Sequence, residues 1–248
     1  MAAIRTYLLT LVMSLACTAA VAQQTTSDAS RTNREPAVPG LADLPLTEVP
    51  SPHGSSGFFA VHITGDGGYG TTDRGLSETL AAHGIPVVAL NSLRYFWKKR
   101  TPAEAAEDLQ RIMEHYRLAW HAERCIVIGY SMGADVLPFM LTRLPKSSLE
   151  RIALVALLGP GPYAAFQFHL TQWFGRPPAD QSLPVQAELE KLRGLRMLCF
   201  QGDEDKEAIC SRLDPGLIKS VTLTGGHRIG SHYEPVAETI LREVGLWK

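Results

Sequence analysis

Six short apolar runs, bounded by turn residues and mostly separated by helix-like stretches, constrain this chain more than any other feature. They are FFAVHI (Phe58 to Ile63), PVVALN (Pro86 to Asn91), CIVIGY (Cys125 to Tyr130), RIALVALLG (Arg151 to Gly159), RMLCFQG (Arg196 to Gly202) and IKSVTLT (Ile218 to Thr224). Their near-continuous apolar character suits strands buried on both faces. Helical patterns run from Arg74 to His83, Pro102 to Ala119 behind the cap Thr101, Ala134 to Leu144, Val185 to Arg193 and Tyr233 to Val244. The alternation predicts an α/β domain, a mostly parallel sheet with helices on both faces. No internal repeat or composition break divides it, so one domain over 41–248 is expected. Gly159 to Pro184 breaks the rhythm with five prolines and several aromatics, and reads as a small cap-like insertion or a surface-packed loop.

Ahead of this domain, MAAIRTYLLTLVMSLACTAAVAQ places Arg5 before an apolar run and ends in Ala20-Val21-Ala22. That is the form of a secretory signal peptide, 1–22, with cleavage after Ala22 and a periplasmic mature protein. A retained anchor and lipidation at Cys17 through SLAC are the competing readings. Residues 23–40 are polar and aperiodic and read as a flexible leader. No later segment reaches the roughly 18 apolar residues that a spanning helix needs.

The 24 Lys and Arg nearly balance the 25 Asp and Glu, so no global basic field exists to draw in nucleic acid. Removing the signal leaves Cys125, Cys199 and Cys210. Cys125 opens a strand and reads as a buried thiol, whereas Cys199 and Cys210 flank a polar loop and either bridge it or stay reduced. The spacing matches no common structural zinc site, and no cofactor is expected. Neither G-x-G-x-x-G nor G-x-x-x-x-G-K-[ST] occurs, which removes the common nucleotide-binding loops.

The chemistry centres on Gly129-Tyr130-Ser131-Met132-Gly133, a G-x-S-x-G pattern set between a strand and a helix. In that context the glycines permit the tight turn that lifts a serine above the sheet as a nucleophile. A hydroxyl needs a base, and chain order then calls for an acid and a histidine downstream. His227 leaves the last strand on the TGGH turn and is the favoured base, ahead of His232. His53, His62, His83, His115, His121 and His169 read as packing or surface residues. GDEDKEAIC offers Asp205 as the acid, with Asp203 as the alternative and Glu204 beside them. A Cys199 to Cys210 bridge would clamp that loop.

An oxyanion would be held by the Met132 backbone N–H and by Asp66 or Gly67 in TGDGGYG, where four glycines between Gly65 and Gly70 let the backbone approach a substrate. Tyr69 and Tyr130 are further substrate-binding candidates. Asp135 stands four residues after Ser131 and either meets a cationic substrate group or complements the helix dipole. LRYFWKKR, Leu93 to Arg100, sets aromatics beside cations and reads as a solvated rim loop, a pocket wall or a contact for anionic headgroups.

Taken in order, TGDGGYG, LNSLRYFW, GYSMGADVLP, GDEDKEAIC and TGGHRIGSHY resemble the VirJ/AcvB family of bacterial virulence proteins from about Phe58 to the carboxyl terminus. The chain departs from that pattern at Tyr69, where Trp is expected, and at Arg228, where a second His is expected. The resemblance implies a periplasmic α/β-hydrolase that cleaves the aminoacyl ester of aminoacyl-phosphatidylglycerol, with Ser131, His227 and an acid from the Asp203 to Asp205 loop. An aminoacyl-phospholipid at the membrane surface is then the expected partner. The rivals are a general periplasmic carboxylesterase or thioesterase, a peptidase, and a non-catalytic secretion-associated binding protein or chaperone.

Overall fold

The computed structural model describes residues 40–168, 183–228 and 233–247. The expected signal peptide, the leader, Cys17, His169 and His232 lie outside these residues. The apolar runs form a seven-stranded sheet from β1 (Leu46–Val49), β2 (Phe58–Ile63), β3 (Val87–Leu90), β4 (Arg124–Tyr130), β5 (Ile152–Leu158), β8 (Met197–Gly202) and β9 (Lys219–Leu223). Its strand order is β1-β3-β2-β4-β5-β8-β9. All pairs are parallel except β1 with β3. A two-stranded ladder of β6 (Tyr163–Ala164) and β7 (Leu183–Pro184) starts and ends the insertion.

Among the described residues the α-helices between and after the strands are α1 (Thr71–Ala82), α2 (Ser92–Tyr95), α3 (Pro102–Ala119), α4 (Met132–Leu141), α5 (Lys146–Leu149), α6 (Val185–Glu190) and α7 (Tyr233–Glu243). Side chains alternate across a strand, so β4 feeds two cores. Cys125 and Val127 pack with Leu109 and Ile112 of α3 and Leu137 of α4. Ile126 and Ile128 pack with Leu76 and Leu80 of α1 and Val236 and Ile240 of α7. Burial on both faces is why these runs carry no polar alternation. Helix α3 starts where its cap directs, with Thr101 Oγ1 accepting from Glu104 N–H (3.1 Å) and Glu104 Oε2 accepting from Thr101 N–H (2.7 Å).

Three features depart from expectation. Strand β1 lies in a stretch where none was expected, because LTEV is short, half polar and sits antiparallel at an edge. Helix α4 begins at Met132 rather than Ala134, since Ser131 is itself the residue before the helix. The segment read as a rim loop begins with α2, and its Tyr95 and Phe96 are core residues. Tyr95 donates to buried Asp108 Oδ2 at 2.6 Å, leaving Trp97, Lys98 and Lys99 to solvent.

Between β2 and β4 the strand order reverses direction, with β3 placed to one side and β4 and β5 to the other. In open α/β sheets that reversal opens a crevice at the carboxyl edge, where ligands bind. The Gly65 to Gly70 loop leaves β2 and Ser131 leaves β4 at this edge, with Ile63 paired to Gly129.

Candidate active site

Ser131 adopts φ 51°, a left-handed conformation that non-glycine residues seldom take, with ψ −119°. The glycines around it are required by close approach. A Cβ on Gly133 would lie 2.1 Å from the carbonyl oxygen of Ile63, and one on Gly129 would lie 2.6 Å from that of Gly133. Helix α4 is thus pressed directly onto the ends of β2 and β4. The Met132 N–H stands at its first position, where a helix offers no internal acceptor.

Ser131 Oγ lies 2.9 Å from His227 Nε2, and His227 Nδ1 lies 2.8 Å from Asp205 Oδ2. The histidine side chain is 44% exposed and the Asp205 side chain 3%. An acceptor at Nδ1 favours the tautomer that carries its proton there and leaves the bare Nε2 facing the hydroxyl. Asp205 is itself held by the Glu207 and Ala208 N–H groups, which donate to its Oδ1 at 3.1 and 3.2 Å. Asp203 takes no part in this relay; its Oδ1 accepts from Gly225 N–H at 2.8 Å and so orders the turn that carries His227. Cys199 and Cys210 form a disulfide that brackets the acid loop, and Cys125 is a buried free thiol whose pKa burial pushes up.

Tyr130 is nearly buried, and its ring stacks on the His227 imidazole at 6.4 Å between centroids. That contact, and the approach of Gly159 to within 3.1 Å of His227 Cε1 were a Cβ added, show how the His227 ring is seated. Neither was apparent from the sequence.

Asp66 and Gly67 sit in a turn closed by Gly68 N–H donating to Gly65 O at 3.0 Å. The turn lies against the elbow, because a Cβ on Gly65 would stand 3.5 Å from Ser131 Cβ. Thr64 anchors its start: Ser92 N–H donates to Thr64 Oγ1 (2.9 Å) and Ser92 Oγ donates to the Thr64 carbonyl (2.6 Å). Its far end is tied by Gly70 N–H donating to Asp73 Oδ2 at 3.0 Å. Behind it, buried His62 has Nε2 3.3 Å from Asp73 Oδ1 and Nδ1 3.3 Å from Ser77 Oγ. His62 and Asp73 are eleven positions apart on different elements, so no sequence spacing announces the pair. Tyr69 is half-buried, with the Arg74 guanidinium 5.3 Å from its ring centre.

Asp135 Oδ1 accepts from Gly161 N–H at 2.6 Å, tying α4 to the start of the insertion. Burial pushes its pKa well up, the Gly161 bond opposes this, and the charge of nearby Asp66 adds to the rise. The folded chain therefore keeps a proton that the unfolded chain has released. Stability falls as pH rises from the ordinary value of 3.8 towards the elevated one. Asp135→Asn, which can still accept from Gly161, is expected to raise the thermal midpoint at neutral pH and to lose that advantage near pH ~4. Thermal unfolding at both pH values checks this; an advantage independent of pH would contradict the assignment.

Among the described residues no group of three or more His, Cys, Asp or Glu side chains is placed to hold a metal. No described helix is long and apolar enough to cross a membrane.

Solved structures share this architecture. Est1E from Butyrivibrio proteoclasticus is 14% identical with a TM-score of 0.58, over 82% of this chain and 96% of that one. The Pyrococcus furiosus esterase Pf2001 is 14% identical with a TM-score of 0.56, over 85% and 93%. The thioesterase domain from the curacin biosynthetic pathway is 17% identical with a TM-score of 0.53, over 79% and 94%. The fold, with a serine elbow at the carboxyl edge, is that of the α/β-hydrolases. Within that class the chain belongs to the family of the bacterial virulence protein VirJ, whose model matches residues 57–246. Among curated proteins none matches it in sequence.

Proposed function

We propose that the protein is a periplasmic serine esterase that hydrolyses the aminoacyl ester of lysyl- or alanyl-phosphatidylglycerol. The observation that carries the esterase reading is the hydrogen-bonded series Ser131 Oγ, His227 Nε2, His227 Nδ1 and Asp205 Oδ2. Ser131 Oγ attacks the ester carbonyl while His227 Nε2 takes its proton, and Asp205 stabilises the imidazolium. The Met132 N–H and that of Asp66 or Gly67 receive the oxyanion. Collapse of the tetrahedral intermediate breaks the ester C–O bond, and His227 returns the proton to the departing phosphatidylglycerol hydroxyl. Water, deprotonated by His227, then attacks the acyl-serine carbonyl; the bond to Ser131 Oγ breaks, His227 returns the proton to that oxygen, and the free amino acid leaves.

The substrate reading is supported by family membership and by two acidic side chains, Asp66 and Asp135, on the elements that flank Ser131. Burial, with the charge of nearby Asp66 adding to it, raises the cost of ionising Asp135, and an aminoacyl ester brings an α-ammonium group that offsets it. The expected signal peptide, 1–22, would deliver the chain to the compartment where this lipid is exposed. A second reading, a general carboxylesterase or thioesterase, draws on the names of the structural neighbours and uses the same residues.

The test is release of lysine and alanine from the two purified lipids by the chain lacking residues 1–22. Release from at least one is expected. Asp205→Asn should lower it by roughly 10⁴-fold by disturbing the His227 tautomer. Asp203→Asn, whose amide oxygen can still accept from Gly225 N–H, should stay within about tenfold of the parent, as for a replaced neutral contact. Cleavage of simple esters without release from either lipid would select the second reading.

A further inference from the structure

We propose that the surface around Trp97 docks the protein on an anionic phospholipid bilayer, with the active-site edge turned towards the lipid. Trp97 is 60% exposed, although an indole of this size is normally largely buried. It is also held in place. Its ring stacks on Phe168 at 5.9 Å with 19° between planes. The backbone on either side is tied to the insertion, Phe168 N–H donating to Phe96 O (2.8 Å) and Arg100 N–H to Phe166 O (2.9 Å). Beneath it, Phe96 packs edge-on against Phe166, which packs edge-on against Phe139 of α4. The indole is thus a fixed projection from a rigid aromatic base.

Lys98 and Lys99 follow directly, both exposed, and among the described residues neither forms an ion pair. The chain as a whole carries a formal charge of −1, so this cationic surface is local. An amphipathic indole beside unpaired ammonium groups matches the headgroup layer of an anionic bilayer, where tryptophan settles and each lysine gains about 1 kcal/mol. The position suits the purpose. Helix α2, which ends two residues before Trp97, is bonded through Ser92 to Thr64, the residue from which the Gly65 to Gly70 loop departs. Exposed Tyr163 and Leu183 lie in the ladder at the base of the insertion, which leaves the same carboxyl edge.

The purpose of this surface rests on the lipid-substrate reading, but its test is independent of it. The chain lacking residues 1–22 is sedimented with vesicles of phosphatidylcholine alone and of phosphatidylcholine with phosphatidylglycerol, neither containing aminoacyl lipid. Association with the phosphatidylglycerol vesicles and release by added salt are expected. Lys98→Ala with Lys99→Ala should lower the partition coefficient about 25-fold, about fivefold for each charge removed. Trp97→Ala should lower it several-fold. Both variants should hydrolyse a water-soluble short-chain ester, the esterase control, within about twofold of the parent, since neither alters the relay. Equal sedimentation with both vesicle types, or variants that bind like the parent, would overturn the proposal. Vesicle binding without hydrolysis of either aminoacyl lipid would remove the substrate reading and leave the docking surface standing.

Discussion

Ser131→Ala is expected to lower ester turnover by about 10⁴- to 10⁶-fold while leaving the fold and its thermal midpoint nearly unchanged. The size follows from the proposed chemistry, because without Oγ no acyl-enzyme forms and His227 is left with only water to activate. What survives is the contribution of the oxyanion amides and of binding. The structural neutrality follows from the contacts. Ser131 Oγ meets His227 Nε2, which is open to solvent and can bond to water instead. The Ser131 amide donates to Leu158 O (2.8 Å) and its carbonyl accepts from the Ala134 and Asp135 amides, and all three bonds persist in alanine. A burst of alcohol release in the parent and none in the variant separates nucleophilic from general-base roles. Turnover within tenfold of the parent would remove Ser131 from the mechanism.

The largest expected effect on stability belongs to Gly133→Ala. One added methyl would meet the Ile63 carbonyl oxygen at 2.1 Å and that of Thr64 at 2.7 Å, both backbone atoms at the end of a central strand. Neither can turn aside as a side chain can, so α4 must lift off the sheet. A penalty above about 4 kcal/mol, or failure to accumulate folded protein, is expected. Gly67→Ala is the control, since a Cβ there meets nothing within 4 Å. Denaturant unfolding of both variants checks the contrast, and a Gly133→Ala midpoint equal to that of Gly67→Ala would refute the packing argument.

The central strands were legible because burial on both faces removes the polar residues that would blur them. Strand β1 was not, because an edge strand needs only its inward residues apolar, and LTEV places Glu48 and Thr47 between Leu46 and Val49. The aromatic run after β3 misled for a different reason. Cations beside Tyr95 and Phe96 suggest a wet loop, yet Arg100 lays its guanidinium 4.6 Å from the Tyr95 ring centre and covers it. At the site, Ser131 could be placed from local pattern, since the elbow is a short-range structure with its own glycines. His227 could be placed from chain order. The acid could not, because Asp203, Glu204 and Asp205 are adjacent and only the path of the turn separates them. Asp203 N–H bonds to Leu223 O and its side chain to Gly225 N–H, which commits it to the neighbouring turn and leaves Asp205 to face the histidine.

The placement of the site across the sheet carries a consequence of its own. Ser131 and the Gly65 to Gly70 loop hang from β4 and β2, strands paired on both sides in the middle of the ladder. His227 follows β9, a strand at one edge of the sheet, whose residues are mostly exposed or half-exposed. Protection against local opening is greatest where a strand has two buried neighbours and least at a solvated margin. Ser131 therefore hangs from a strand expected to open late, whereas His227 hangs from a margin where fraying is expected to begin. Partial opening of that margin would part His227 from Ser131 while the rest of the sheet is still intact.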